Sequence, residues 1–188
     1  MAKTSSAAAK QRAIKQRAAR IQLLLMDVDG VWTDGSLYYV PSAGGALVET
    51  KGFDSQDGIG LRWAVDAGLV TGIISGRLSP AVQERGRMLG LSYIYQDHLN
   101  KLEIYEQILA HARLTDSQVC FIGDDLTDLP VLRRAGLAVA VANGRPEVKK
   151  QARYVTTARG GRGAVRETIE LILKAQNKWR AVVGKYGL

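Results

Sequence analysis

The sequence predicts an α/β protein built on one open parallel β-sheet with helices on both faces, which makes a three-layer fold. Short apolar runs alternate along the chain with segments in which apolar residues recur at helical spacing, and this is the pattern of repeated strand–helix units. The apolar runs are also continuous, as expected of strands that are buried on both faces. At 188 residues, the chain is long enough for one such domain with a substantial core.

The predicted elements follow one another in a regular order. We predict a basic, partly disordered arm over 1–20, one domain over 21–177 and a C-terminal tail over 178–188. Within the arm, disorder is predicted over 1–12 and a short helix over 13–21. Strands are predicted at 22–27, 70–75, 92–95, 118–123, 137–141 and 153–156. Helices are predicted at 57–67, 79–89, 101–112, 127–135, 146–150 and 164–177.

A β-hairpin is predicted between the first strand and the first helix of the domain. Two β-prone runs, 36–40 and 46–51, are separated by a turn that contains proline and glycine. Because the hairpin follows the first strand directly, it would stand over the carboxyl end of the sheet as a flap. The sequence shows no internal repeat and no second domain.

The net charge of +8 is concentrated in the arm. Residues 1–26 carry no acid and six bases, which are Lys3, Lys10, Arg12, Lys15, Arg17 and Arg20. The arm lacks aromatic residues and a large apolar face, so we predict a solvated arm, with no nucleic-acid or membrane partner. The single cysteine, Cys120, cannot form an internal disulfide, and no secretory signal or apolar run of membrane-spanning length is visible. These observations favour a cytoplasmic protein.

Two carboxylates follow the first apolar strand. Asp27 and Asp29 are separated by one residue and would project from the same side of an extended chain, because side chains alternate along a strand. Two like charges at this spacing are costly unless a cation lies between them. Asp124 and Asp125 follow the fourth predicted strand of the sheet. In a parallel sheet the carboxyl ends of the strands meet at one edge, which is where ligands bind.

These residue types suit a magnesium-dependent phosphoryl transfer. Asp27 and Asp124 would be side-chain ligands of Mg²⁺, which prefers carboxylate oxygens and phosphate. Asp27 could attack phosphorus, and Asp29 could protonate the leaving oxygen and then activate water. Ser75 offers a hydroxyl and Lys101 a fixed cation to the phosphoryl oxygens.

Other polar residues near these motifs have structural interpretations. Asp125 and Asp128 are predicted to support the site without touching the substrate. Each motif alone occurs by chance, and their order along a strand–helix pattern carries the prediction.

Six runs carry a family resemblance. They are DVDGV-x-TDG at 27–35, K-G-F-x-x-x-DG-x-G at 51–60, SGR at 75–77, Y-Q-x-x-x-N-K at 95–101, GDD-L-x-D at 123–128 and GG-R-GAVRE at 160–167. On these runs the sequence resembles the haloacid dehalogenase superfamily. Within it, the sequence is similar to the capless phosphatases of 3-deoxy-D-manno-octulosonate 8-phosphate, a phosphorylated eight-carbon sugar acid.

The resemblance implies a Rossmann-like, haloacid dehalogenase-like fold without a cap domain, and hydrolysis through an aspartyl-phosphate at Asp27. It implies Mg²⁺ held by Asp27, the backbone carbonyl of Asp29 and Asp124. It further implies a homotetramer with active sites at subunit interfaces. The implied substrate contacts are Lys51, Phe53, Gln56, Asp57, Gly58, Gly76, Arg77 and Arg162.

Gln56 departs from the pattern, because family members often carry arginine at this position. An amide cannot match the bidentate hold of a guanidinium on a carboxylate, so a phosphatase of a nine-carbon sugar acid stays open as an alternative.

Two non-enzymatic classes also fit parts of the pattern. A signalling receiver domain is a parallel α/β fold with acids and a lysine at strand ends, but its adjacent acid pair comes early and its lysine last. Here the D-x-D run comes first and Lys101 precedes the Asp124–Asp125 pair. A scaffold or nucleic-acid-binding protein that kept the fold would account for the basic arm, but every catalytic position is filled.

Overall fold

The computed structural model of the chain describes residues 2–187, with side chains described from residue 8 onward. The strands are β1 (Leu23–Met26), β2 (Tyr38–Pro41), β3 (Leu47–Thr50), β4 (Val70–Ile74), β5 (Tyr93–Tyr95), β6 (Val119–Gly123), β7 (Leu137–Ala140) and β8 (Tyr154–Val155). The helices are α1 (Ala2–Ala18), α2 (Ser55–Asp66), α3 (Pro80–Leu89), α4 (Lys101–Ala112), α5 (Leu129–Leu132), α6 (Pro146–Gln151), α7 (Ala164–Ala175) and α8 (Trp179–Gly184).

Six strands form one parallel sheet in the order β5-β4-β1-β6-β7-β8, which confirms the predicted fold class. The central strand β1 pairs with β4 on one side and with β6 on the other, so that Leu25 lies between Gly72 and Phe121. The chain turns in opposite directions from β1, and this makes the end of β1 the switch point of the sheet. The loops after β1, β4 and β6 therefore meet at one edge.

The core lies on both faces of the sheet. Leu24 and Met26 of β1 pack on one face with residues of α2, α3 and α7. Leu23 and Leu25 pack on the other face with residues of α4, α5 and α6. All four β1 side chains are fully buried, because successive side chains of a strand point to opposite faces. The continuous apolar run of β1 is explained by these two cores.

The predicted flap is present as a separate antiparallel hairpin of β2 and β3. Its turn includes Gly45, which has a φ of +80°, a conformation that glycine adopts without strain. Much of the hairpin's apolar surface is exposed, at Leu37, Tyr38, Tyr39, Val40, Leu47 and Val48. The described residues contain no cap domain in addition to this flap.

Three elements differ from the prediction. The N-terminal helix begins at Ala2, and not at residue 13, because the arm is rich in alanine, lysine, arginine and glutamine, which favour helix. The predicted helix over 127–135 is a 3₁₀ turn at Leu126–Asp128 followed by the short α5. The C-terminal tail contains α8, whose Trp179 packs edge-on against Trp63 of α2. Among the described helices, none has both the length and the apolar character that a membrane span requires.

Candidate active site

The site is built around Asp27, the residue that follows β1. The backbone N–H of Asp27 donates to the carbonyl of Ile122, which continues the pairing with β6. The N–H of Val28 donates to Asp27 Oδ1 at 2.7 Å, and the same oxygen lies 2.8 Å from Lys101 Nζ. The Asp27 side chain is therefore fixed at the switch point by one backbone group and one cation.

Lys101 is a buried cation shared by two carboxylates. It is the first residue of α4, and its ammonium lies 2.8 Å from Asp27 Oδ1 and 2.7 Å from Asp128 Oδ1. Burial acts to lower the pKa of Lys101, but the carboxylates of Asp27 and Asp128 outweigh it and raise this pKa above its ordinary value. Lys101 is therefore a permanent positive charge beside the proposed nucleophile.

Asp128 positions the loop after β6. Its second oxygen, Oδ2, accepts the N–H of Asp124 at 2.8 Å and the N–H of Asp125 at 3.3 Å. The side chain is fully buried, so its charge is balanced by Lys101 and these backbone donors. Gly123 has no room for a side chain, because a Cβ there would lie 2.6 Å from Asp128 Cβ.

Asp124 carries the clearest indication of a cation-binding site. Its Oδ1 is buried and has no hydrogen-bond partner, and one oxygen each of Asp27, Asp124 and Asp128 lie within 4.8 Å of one another. A Cβ at position 30 would overlap the Asp124 carboxylate, so Gly30 leaves the space that this carboxylate occupies. A buried carboxylate oxygen without a donor fits a hard cation such as Mg²⁺. Asp27 and Asp124 are therefore placed where both could hold Mg²⁺, and their role as its ligands stays a prediction.

The electrostatics agree with this assignment. Burial, with repulsion from Asp128, raises the pKa of Asp27 well above its ordinary value, and Lys101 offsets only part of this. Burial, with repulsion from Asp27 and Asp128, raises the pKa of Asp124 to about 8. A divalent cation would remove this repulsion and keep both carboxylates ionised.

The loop after β4 supplies Ser75, Gly76 and Arg77. The backbone N–H of Arg77 donates to Ser75 Oγ at 3.2 Å, and Ser75 is almost fully buried. A cavity of about 210 Å³ lies where these loops meet. Its lining residues are Asp27, Asp29, Ser75, Gly76, Arg77, Leu99, Lys101, Asp124, Asp125 and Thr127. The structure thus brings four predicted features together around one cavity: the D-x-D run at 27–29, the SGR run at 75–77, Lys101 and the acid pair at 124–125.

Asp29 has a different environment from Asp27. Its Oδ1 lies 2.5 Å from Lys51 Nζ, and its Oδ2 lies 3.7 Å from Arg77 Nε. Lys51 follows the flap, so the flap reaches the second carboxylate of the D-x-D run.

A second cavity, of about 340 Å³, lies beside the flap. It is lined by Asp34, Tyr38, Thr50, Lys51, Gly52, Phe53, Asp54, Gly161 and Arg162. Three of the predicted substrate contacts, Lys51, Phe53 and Arg162, therefore lie together, although Lys51 is nearly buried and Phe53 packs against the ring of Trp32 at 4.8 Å.

The structure does not bring Gln56, Asp57 and Gly58 to either cavity. Asp57 is fully buried, and its two oxygens accept the backbone N–H groups of Gly163 and Arg166 at the start of α7. Burial raises the pKa of Asp57 to about 6. In the described subunit Asp57 is an anchor for α7, and its predicted contact with substrate stays a prediction, as do those of Gln56 and Gly58.

Two features of the site were missed by sequence reasoning. Glu49 of the flap contacts both Lys51 and Arg77, and an acid in a short exposed hairpin gives no signal of such a role. The loop after residue 159 packs on the loop that carries Asp27: Gly161 N–H donates to the carbonyl of Val31, and a Cβ at Gly160 would overlap the carbonyl oxygen of Gly30. The glycines of the GG-R-GAVRE run were a visible signal for this contact.

A parallel sheet between two layers of helices, with acids, a serine and a lysine at its carboxyl edge, is typical of the haloacid dehalogenase-like hydrolases. Residues 84–168 match the model of that family. The chain is 43% identical, over 90% of its length and 88% of the relative's, to 3-deoxy-D-manno-octulosonate 8-phosphate phosphatase of Yersinia pestis. It is 41% identical to the same enzyme of Escherichia coli K12, over 86% of its own length and 84% of that enzyme's.

Solved structures agree with these matches. One is 3-deoxy-D-manno-octulosonate 8-phosphate phosphatase of Moraxella catarrhalis, in complex with magnesium, phosphate and KDO. It superposes on this chain with a TM-score of 0.87 at 41% identity, over 92% of this chain and 97% of that one. The Yersinia pestis enzyme superposes with a TM-score of 0.83, over 88% of each chain. The chain therefore belongs to the haloacid dehalogenase-like hydrolases, within the family of the 3-deoxy-D-manno-octulosonate 8-phosphate phosphatases.

Proposed function

We propose that this protein is a Mg²⁺-dependent phosphatase that hydrolyses 3-deoxy-D-manno-octulosonate 8-phosphate to the free sugar acid and phosphate. The observation that carries the proposal is the buried Asp124 oxygen without a partner, which lies with Asp27 and Lys101 at one cavity. Relatives that are 41–43% identical to this chain over the aligned residues bear this activity in their names.

In the proposed reaction, the phosphoryl group enters the cavity between Ser75 and Lys101. The Lys101 ammonium neutralises charge on its oxygens, and the Ser75 hydroxyl orients them. An Asp27 oxygen attacks phosphorus, and the bond from phosphorus to the sugar oxygen breaks. Asp29 gives a proton to this leaving oxygen. Asp29 then takes a proton from water, which attacks phosphorus, releases phosphate and restores Asp27.

Mg²⁺, held by Asp27, the Asp29 carbonyl and Asp124, would supply positive charge that lets a carboxylate approach a phosphate. The chain's own residues do the remaining work. Lys101 holds Asp27 in place at 2.8 Å, and Asp128 holds both Lys101 and the backbone N–H of Asp125. The Asp27 carboxylate is thus fixed before substrate arrives.

The sugar-acid part of the substrate would extend toward the cavity beside the flap. Arg162, whose side chain is exposed, offers positive charge there, which suits a carboxylate. The nine-carbon sugar acid remains the second candidate, because Gln56 does not supply the arginine that family members often carry.

The test is a comparison of three substrates with purified protein and Mg²⁺. The substrates are 3-deoxy-D-manno-octulosonate 8-phosphate, a nine-carbon sugar-acid 9-phosphate, and a hexose 6-phosphate without a carboxylate. We expect the highest kcat/KM for the eight-carbon acid. A preference for the nine-carbon acid would move the assignment to the alternative, equal values for all three would remove the sugar-acid assignment, and no phosphate release from any would refute the phosphatase.

We also propose a homotetramer with active sites at subunit interfaces, working in the cytoplasm. The exposed apolar side chains of the flap favour burial against another subunit. Light scattering coupled to size exclusion would give a mass near four times 20.4 kDa, and a mass of one chain would contradict the tetramer. The one cysteine, Cys120, is buried and free, which is compatible with a reducing compartment.

A further inference from the structure

Four side chains of alternating charge form a closed ring over the catalytic cavity. Lys51 Nζ lies 2.5 Å from Asp29 Oδ1 and 3.1 Å from Glu49 Oε1. Arg77 Nη2 donates to Glu49 Oε2, and Arg77 Nε lies 3.7 Å from Asp29 Oδ2. We call these four residues the flap ring. It joins β3 to the loops after β1 and β4.

Strand alternation puts Glu49 in this position. Glu49 and Lys51 are two residues apart, so they project from the same side of the extended flap, toward Arg77 and Asp29 at the cavity wall. Val48, between Glu49 and the turn, is half exposed on the other side. The side chain of Lys51 is 1% exposed, that of Glu49 19% and that of Arg77 45%. The ring is therefore closed on the protein side and open on the cavity side, at Arg77.

The charges explain why Glu49 is needed. Arg77 and Lys51 are two cations on neighbouring elements, and both approach Asp29. Asp29 alone would hold Arg77 only through a contact of 3.7 Å, whereas the carboxylate of Glu49 gives each cation a second partner. Within the described residues, Glu49 is the sole acidic side chain of the hairpin.

We propose that Glu49 is a positioning residue of the reaction: it holds Arg77 over the cavity for the substrate and Lys51 against Asp29, and so keeps the flap on the site. This rests on the proposed function, in which Arg77 contacts the substrate and Asp29 transfers the proton. Glu49 itself touches neither the substrate nor the reacting atoms.

The kinetic test uses Glu49→Ala, Arg77→Ala and the double variant, with 3-deoxy-D-manno-octulosonate 8-phosphate and Mg²⁺. In Glu49→Ala we expect KM to rise about tenfold, which matches the loss of one hydrogen bond to a charged group, and kcat to fall by less, about threefold. Since Glu49 acts through Arg77, adding Glu49→Ala to Arg77→Ala should raise KM no further. The KM of Glu49→Gln, which keeps one acceptor, should lie between that of the wild type and that of Glu49→Ala.

A matched control is Glu84→Ala, which removes the exposed pair of Glu84 with Arg87 on α3 and should leave both constants unchanged. Wild-type kinetics in Glu49→Ala, or multiplicative effects of Glu49→Ala and Arg77→Ala on KM, would overturn the positioning role while leaving the phosphatase intact.

Hydrogen exchange tests the ring without any activity. In Glu49→Ala, the amides of residues 47–53 should exchange at least about tenfold faster than in the wild type, because the flap loses its link to Arg77. Amide exchange in the six-stranded sheet should stay unchanged, which separates this effect from unfolding of the domain. Unchanged exchange over 47–53 would refute the proposal even if no substrate were turned over.

Discussion

At the scale of single residues, the site depends on buried charges that compensate one another. Asp27 and Asp128 share the ammonium of Lys101, whereas a buried oxygen of Asp124 has no donor and is suited to bind a metal ion. Buried carboxylates without such partners would be neutralised by protonation. The reacting carboxylate therefore stays ionised because of Lys101 on one side and the metal site on the other.

Removing the shared cation should destabilise the protein. We expect Lys101→Met to lower the free energy of unfolding of the metal-free protein by about 3 kcal/mol or more, because two buried carboxylates lose their partner. Urea denaturation measures this change. The control is Lys185→Met, whose exposed pair with Asp66 should contribute less than about 1 kcal/mol. A loss in Lys101→Met no larger than that of the control would contradict the shared-cation account.

Magnesium affinity should depend on pH. In the metal-free site the pKa of Asp124 is raised to about 8, mainly by burial and then by Asp27. Below this pH the carboxyl carries a proton that Mg²⁺ must displace, so affinity should rise as pH increases from 6 to 8, by up to about tenfold per unit for one proton, and then level off. Titration calorimetry in two buffers would measure the affinity and the protons released. An affinity that is flat over this range, with no proton release, would contradict the raised pKa.

At the scale of elements, the sequence was informative where one local rule decides the outcome. Strand ends could be predicted because apolar runs stop at polar residues, and the parallel arrangement then placed Asp27, Ser75 and Asp124 on one edge. Helix phase could not be fixed in the same way. Asp57 belongs to the first turn of α2, and its side chain turns inward to α7, because the unpaired N–H groups at the start of α7 need acceptors.

Contacts between distant loops were also beyond the sequence. Nothing local to Glu49 indicates that it reaches Arg77, since the position of the flap over the site depends on how the whole hairpin folds back. The partners of α8 are likewise side chains on α2, such as Trp63, which lie far away in the chain.

The glycine loop behind Asp27 offers a test of an element contact. A Cβ at Gly160 would overlap the carbonyl oxygen of Gly30, so Gly160→Ala should displace the loop that carries Asp27 and Asp29. We expect kcat/KM to fall by about a hundredfold, the effect of misplacing a catalytic group by about 1 Å. Steady-state kinetics measures this. Gly184→Ala, where nothing lies within 4 Å of the added methyl group, is the control and should be neutral. Activity in Gly160→Ala within threefold of the wild type would show that the loop does not hold the site.

At the scale of the whole molecule, the basic arm and the acidic catalytic edge carry charge of opposite sign. Most of the net charge of +8 comes from α1, which carries five bases and no acid, whereas the acids of the site lie at the carboxyl end of the sheet. The arm is not a separate appendage along its full length. Ala18 is buried in the core, Ile14 packs against it, and Arg17 donates to the carbonyl of Gly136.

Truncation should separate these two parts of the arm. Deleting residues 1–12 should leave both thermal stability and activity unchanged, because the residues that pack on the core remain. Deleting residues 1–20 removes Ile14 and Ala18 and should lower the free energy of unfolding by about 2 kcal/mol or more. Thermal and chemical denaturation of the two truncated chains would show the difference. A large loss of activity on deleting 1–12 would instead assign a function to the basic arm.

The most direct test of the account compares phosphate release by the wild type and by Asp27→Asn, on 3-deoxy-D-manno-octulosonate 8-phosphate with and without Mg²⁺. The wild type should release phosphate only with the metal, and Asp27→Asn should be slower by at least about a thousandfold, since the nucleophile is lost. Its circular dichroism spectrum should match that of the wild type. Turnover by Asp27→Asn within about tenfold of the wild type, or full activity of the wild type without Mg²⁺, would contradict the central claim.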